Sequence, residues 1–85
     1  MAKDEATITV RYFAQLRELA KKSEEVVHVE QGQTAAQLYM RLAEQHGFTL
    51  GLSDIRIAIN DDFGGLDHPL TSGDRLVFIP PVAGG

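Results

Sequence analysis

The residue types that most often carry chemistry are sparse in this chain. Three histidines, His28, His46 and His68, are the natural candidates for proton transfer or metal ligation. Their spacing sets up no ligand pair, and no nucleophile or carboxylate stands with them in a pattern that would make a relay. His28 falls mid-strand, His46 at a helix end where a cation suits the dipole, and His68 just before Pro69, so structural roles are expected for all three. Asp61-Asp62 has no further ligands at metal-loop spacing and reads as a turn. Gly64-Gly65 lacks the following helix and the lysine of a phosphate-binding loop. The chain has no cysteine, hence no thiolate nucleophile, no disulfide and no cysteine-based metal site. No catalytic constellation is expected within the chain, and no metal ion or cofactor bound by it.

One reactive group remains, the carboxylate of Gly85. The chain closes with Pro80-Pro81-Val82-Ala83-Gly84-Gly85. Glycine has no Cβ, so Gly84 and Gly85 can pass through a channel too narrow for any side chain. Pro80 and Pro81 hold φ near the polyproline value, which predicts a tail that leaves the last strand stiff and extended. At roughly 3.1 Å per residue, Pro81 to Gly85 would reach on the order of 15 Å from the domain. Val82 and Ala83 are small and uncharged, unlike a solubilising tail. A terminus of this shape suits insertion into another protein's active site, carboxylate first, with Pro80, Pro81, Val82 and Ala83 as the stem that meets the partner. A carboxylate is a poor acyl donor at neutral pH, and activation by ATP would convert it to an acyl-adenylate. Attack by a sulfur donor would then leave a thiocarboxylate, whereas attack by a lysine would leave an isopeptide bond. Both routes need the same slender end, so the tail leaves them open.

Eighty-five residues fit one small domain, read here as residues 1–80, with residues 81–85 as the tail. A composition of 44% hydrophobic and 24% charged residues excludes a disordered chain. A net charge of −4 argues against nucleic acid or an anionic membrane as a partner. No window approaches a membrane span, and Met1-Ala2-Lys3-Asp4-Glu5 lacks the apolar stretch of a signal peptide. With no cysteine, the expectation is a soluble cytoplasmic protein.

The elements that must carry the tail follow from periodicity. Ile8, Val10 and Tyr12 alternate with Thr7, Thr9 and Arg11, the pattern of a half-buried strand. Phe13 to Ala20 reads as a short helix, Lys21 to Glu25 as a surface turn, and Val26 to Val29 as a second strand. Thr34-Ala35-Ala36-Gln37 matches a capping box and opens a helix that runs to about His46. Ala35, Leu38, Tyr39, Leu42 and Ala43 form its apolar stripe, and Gly47 ends it. Ile55, Ile57 and Ile59 mark a third strand, Asn60 to Gly65 a turn, and Leu66 to Asp74 a long connection. Leu76 to Ile79 is apolar on both faces and predicts a central strand, parallel to the first. The sum is α+β, a mixed sheet of about four strands packed on one main helix, the β-grasp arrangement of ubiquitin. Such a sheet has only one covered face, so apolar residues on the other favour a partner. Phe63, set among aspartates and glycines, is either an exposed docking point or a residue folded back onto the core.

Two segments are recognisable. Tyr12-Phe13-Ala14-Gln15-Leu16-Arg17-Glu18-Leu19, and the whole run from Asp67-His68-Pro69-Leu70 to Pro80-Pro81-Val82-Ala83-Gly84-Gly85, resemble the small-subunit family of molybdopterin synthase, ubiquitin-like sulfur carriers. The resemblance spans the chain in length and order. It implies a carrier subunit that is not itself a catalyst, with Gly85 adenylated by an ATP-using enzyme similar to ubiquitin-activating enzymes. A sulfurtransferase would supply the sulfur. The thiocarboxylated tail would enter the synthase large subunit and give sulfur to cyclic pyranopterin monophosphate, in a heterotetramer of two small and two large subunits. The resemblance also implies that Phe63 and Ile79 make apolar contacts with partners. Carriers for thiamine, cysteine or tRNA thiolation are an alternative, as is a ubiquitin-like modifier joined to lysines. Thiamine carriers tend to be shorter and lack the Phe-Ala-Gln-Leu-Arg-Glu-Leu segment.

Overall fold

A computed structural model describes residues 5–81. The chain runs β1 (Glu5–Tyr12), α1 (Ala14–Ala20), β2 (Glu24–Glu30), α2 (Ala35–His46), a 3-10 turn at Leu52–Asp54, β3 (Arg56–Ile59), β4 (Asp62–Gly64) and β5 (Arg75–Ile79). The five strands form one sheet in the order β2-β1-β5-β3-β4. β1 and β5 pair in parallel, Val10 opposite Leu76 and Tyr12 opposite Phe78, and the other three pairs are antiparallel. This is the ubiquitin-like β-grasp, with the last strand central as its two apolar faces predict.

Alternation along the strands decides what is buried. Ala6, Ile8, Val10 and Tyr12 of β1, Val27 and Val29 of β2, Ile57 and Ile59 of β3, and Leu76 and Phe78 of β5 all point to one face. Over that face lies α2, which buries Ala35, Leu38, Tyr39 and Leu42. Burying each large apolar side chain here favours folding by roughly 1.5–3 kcal/mol. Tyr39 stands edge-on to Phe78 with ring centroids 5.1 Å apart, and its hydroxyl donates to Leu50 O at 2.8 Å. Burial, then the nearby Asp54 carboxylate, pushes the Tyr39 pKa up. The capping box is formed: Thr34 Oγ1 accepts from Gln37 N–H at 3.2 Å, and Gln37 Oε1 accepts from Thr34 N–H at 3.0 Å. Gly47 closes the helix at φ 77°, left-handed backbone that glycine adopts without steric cost.

The sheet departs from the expected pattern in two places. Its fifth strand, β4, lies in the segment read as a turn. Asn60 and Asp61 both take left-handed backbone, φ 53° and 75°, which makes a two-residue hairpin and lets Asp62–Gly64 pair back on β3. β2 also begins earlier than the apolar run suggests, because pairing with β1 extends through Glu25 and Glu24.

Candidate functional site

The face of the sheet away from α2 has no element over it among the described residues. Strand register sets one row across all five strands: Glu24, Arg11, Val77, Ala58 and Phe63. The next step along β5 places Ile79 opposite Arg56, towards the exit of the tail. Val77, Ala58 and Ile79 are half-buried, whereas Phe63 is 79% exposed. A ring left so open belongs to the surface and not to the core. Phe13, also exposed, sits under the Arg11 guanidinium, 5.6 Å from its ring centroid.

Phe63 is held out by its hairpin. Asn60 Nδ2 donates to Asp74 Oδ1 at 3.0 Å, and Asn60 Oδ1 accepts from Arg75 N–H at 2.9 Å. Asp74 Oδ2 also accepts from Thr71 N–H at 2.8 Å, and Arg75 Nη2 bonds Asp61 Oδ2 at 2.8 Å. These bonds tie the tip of the β3–β4 hairpin to the turn before β5. Asn60 and Asp74 are therefore positioning residues that the sequence reading passed over. The signal was present: Asn-Asp between Ile59 and Asp62 is a two-residue hairpin turn whose first residue tolerates left-handed backbone.

At the tail exit, Pro80 is buried and Pro81 exposed. A groove of about 400 Å³ runs beside them, lined by Ser53, Asp54, Ile55, Arg56, Ile79, Pro80 and Pro81. Of the tail residues singled out by sequence, Val82, Ala83, Gly84 and Gly85 lie outside the described residues. Phe63, Ile79 and Pro81 reach the surface. Ile79 and Pro81 share that groove, whereas Phe63 stands apart on the β4 edge strand.

The histidines fall elsewhere. His28 and His68 are exposed, while His46 lies against the core. Its Nε2 is 2.8 Å from Glu25 Oε2, which also accepts from the Tyr12 hydroxyl, and Lys22 Nζ lies 3.5 Å from Glu25 Oε1. Burial works against ionising Glu25, but the Tyr12 and His46 hydrogen bonds and the Lys22 charge outweigh it and hold its carboxyl below the ordinary range. Burial, then the bond to Glu25, pushes the Tyr12 hydroxyl far above its usual value. This cluster clasps the end of α2 to β1 and β2, and none of its residues lines the groove beside Pro80 and Pro81. Among the described residues no group of His, Asp and Glu is arranged to hold a metal ion, and no helix is long and apolar enough to cross a membrane.

Comparison with known proteins adds the following. The sequence model of the ThiS family matches residues 10–85. The molybdopterin synthase sulfur carrier subunit of Escherichia coli K12 is 36% identical over 80 residues, covering 92% of this chain and 99% of that protein. Among solved structures, the complex of subunits 1 and 2 of the molybdopterin-converting factor from Helicobacter pylori contains a chain 29% identical, with a TM-score of 0.62 and coverage of 93% and 99%. SAMP1 of Haloferax volcanii, a small archaeal modifier protein, is 25% identical, with a TM-score of 0.78 and coverage of 94% and 100%.

Proposed function

The chain belongs to the ThiS family, and from that premise we propose that it is the sulfur carrier of a molybdopterin synthase, working in molybdenum cofactor biosynthesis. The observation that carries this reading is the 36% identity to a molybdopterin synthase sulfur carrier subunit over 99% of that protein's length. The described geometry supports it, since the sheet leaves Phe63 exposed and Ile79 half-exposed on the face away from α2, with Pro81 exposed just beyond Ile79. In this reading residues 1–80 present a five-residue tail, 81–85, to successive cytoplasmic partners.

The carrier is not itself a catalyst. An adenylating partner similar to ubiquitin-activating enzymes joins the Gly85 carboxylate to the α-phosphate of ATP and releases pyrophosphate. A sulfurtransferase supplies the sulfur nucleophile that displaces AMP and leaves a thiocarboxylate. That group is ionised at neutral pH and is a soft nucleophile, so it stores sulfur without releasing sulfide. The tail then enters the large subunit, where sulfur passes to cyclic pyranopterin monophosphate, and two such transfers build the dithiolene. A large-subunit partner is supported by the complex of the two converting-factor subunits from Helicobacter pylori. Phe63, Ile79, Pro80, Pro81, Val82 and Ala83 make the contacts, and Gly84 and Gly85 thread the channel.

The test is the intact mass of the chain bearing a C-terminal thiocarboxylate, incubated with the large subunit with and without the pterin. Loss of sulfur only when the pterin is present, together with dithiolene formation, is expected. A thiocarboxylate that persists with both present would overturn the assignment. The likeness to SAMP1 favours a second reading, a protein modifier, for which ATP-dependent higher-mass conjugates in lysate would be the sign.

A further inference from the structure

β2 is one of the two edges of the sheet, and it is the long one, with seven residues against three in β4. An edge strand presents unpaired N–H and C=O groups, a template for another strand unless something blunts it. Which groups face outward follows from the ladder. Tyr12 N–H donates to Ser23 O at 2.9 Å, and Arg11 stands opposite Glu24, so odd-numbered residues of β2 bond to β1. Glu24, Val26, His28 and Glu30 therefore turn their backbone groups outward. Two bonds from outside agree: Arg41 Nη1 donates to His28 O at 2.9 Å, and Glu30 N–H donates to Gln33 Oε1 at 3.2 Å. Gln33 closes the far end of the edge, which leaves Glu24 to His28 as the open stretch.

That stretch is complementary to itself. In antiparallel pairing centred on Val26, Glu24 of one copy stands opposite His28 of the other, and Val26 opposite Val26. All of these positions turn their backbone outward, so the register satisfies the ladder's parity. All their side chains lie exposed on the open face, Val26 at 59%. In the pair the two valines cover each other, with a carboxylate beside an imidazole on either side. Existing partners compete weakly: Glu24 Oε1 lies 4.0 Å from Arg11 Nε, and His28 Nδ1 4.0 Å from Glu5 Oε1, both at exposed positions. Arg41 does not block the contact, because a carbonyl oxygen has two lone pairs and the Glu24 N–H of the second copy takes the other.

We propose that β2 is the contact between two copies of this chain, which associate edge to edge in the register centred on Val26. So short a ladder buries far less than the roughly 1,200–2,000 Å² of a stable interface, so the pair is transient and forms at high concentration. It covers neither Phe63, on the opposite edge strand, nor the tail exit, and it does not depend on what the tail carries.

Sedimentation equilibrium of the full chain, from micromolar to millimolar concentration, should show monomer giving way to dimer. Val26→Pro removes only an outward N–H, a change that edge strands tolerate. It should leave the monomer's circular dichroism unchanged and weaken association about tenfold or more, which is about 1.4 kcal/mol. Glu24→His and His28→Glu should each weaken it by setting like groups opposite each other, and the double exchange should restore it. Should Val26→Pro disturb the strand, the exchange series decides alone. A chain that stays monomeric at millimolar concentration, or a double exchange no better than either single variant, overturns the proposal.

Discussion

Along β5, Leu76 and Phe78 are sealed beneath α2, while Val77 and Ile79, one residue away on the same backbone, look out half-covered from the opposite face. The whole sheet repeats this division. Its inner side carries the aromatic cluster of Tyr12, Tyr39, Phe48 and Phe78, and the Tyr12–Glu25–His46 clasp. Its outer side carries Val77, Ala58 and Phe63 in line, with Arg11 beside them and, among the described residues, no helix above. The difference locates two kinds of free energy. Contacts made on folding lie on one face, and surface still wet after folding lies on the other, where the proposed partner would bury it.

Substitutions on the inner face should cost stability first. Phe78→Ala removes a fully buried ring packed on both Tyr12 and Tyr39. It should lower unfolding free energy by about 3–5 kcal/mol in urea titration, a large share of the 5–15 kcal/mol typical of a domain. A loss under about 1 kcal/mol would mean that the inner face is not the seat of stability.

Glu25→Gln is the next step down. It keeps the shape but removes the charge that accepts from Tyr12 and His46, and should cost about 1–3 kcal/mol. Its pH signature is more telling. Because the folded Glu25 carboxyl titrates below its ordinary value of 4.5, the unfolded chain binds the extra proton as the solution is acidified. Its contribution is present above the ordinary carboxylate range and lost as pH falls through the depressed value. The wild type should thus lose more stability than the variant in acid. At the alkaline end, the Tyr12 hydroxyl, raised above its ordinary 10.0, contributes fully below that pH, and stability should fall above it. Parallel pH–stability curves for the two proteins below 4.5 would remove Glu25 from the clasp.

Much of the inner face was legible in the sequence. Period-two alternation in Ile8-Val10-Tyr12 and Ile55-Ile57-Ile59, the stripe on α2 and the Thr34–Gln37 box are local signals, and local signals survive folding. The two-sided apolar run of β5 correctly marked a central strand. What escaped depends on pairs distant in sequence. β4 exists because Asn60 reaches Asp74 and Arg75, and β2 reaches back to Glu24 because β1 is there to pair with it. The partners of His46 were equally hidden, since Glu25 lies 21 residues away. The residues around Phe63 leave two readings open for the same reason, and only the family resemblance tips the ring towards exposure: a turn of aspartates and glycines says nothing of which face the ring takes. That choice is made by its register opposite Ala58.

Phe63→Asp separates the two faces most sharply because its expected effect on stability is the smallest. A ring that is 79% exposed contributes little to the folded state, so melting should shift by no more than about 0.5 kcal/mol equivalent. If the proposed docking holds, affinity for the synthase large subunit, measured by calorimetry, should fall about tenfold or more, because the proposed complex would bury the ring and an aspartate there would be desolvated without a partner. Phe78→Ala should do the reverse, sparing affinity per folded molecule while eroding the folded population. If Phe63→Asp instead melted the domain and left binding intact, the ring would belong to the core. The open face would then lose its claim as the docking surface, leaving the tail to engage the partner alone.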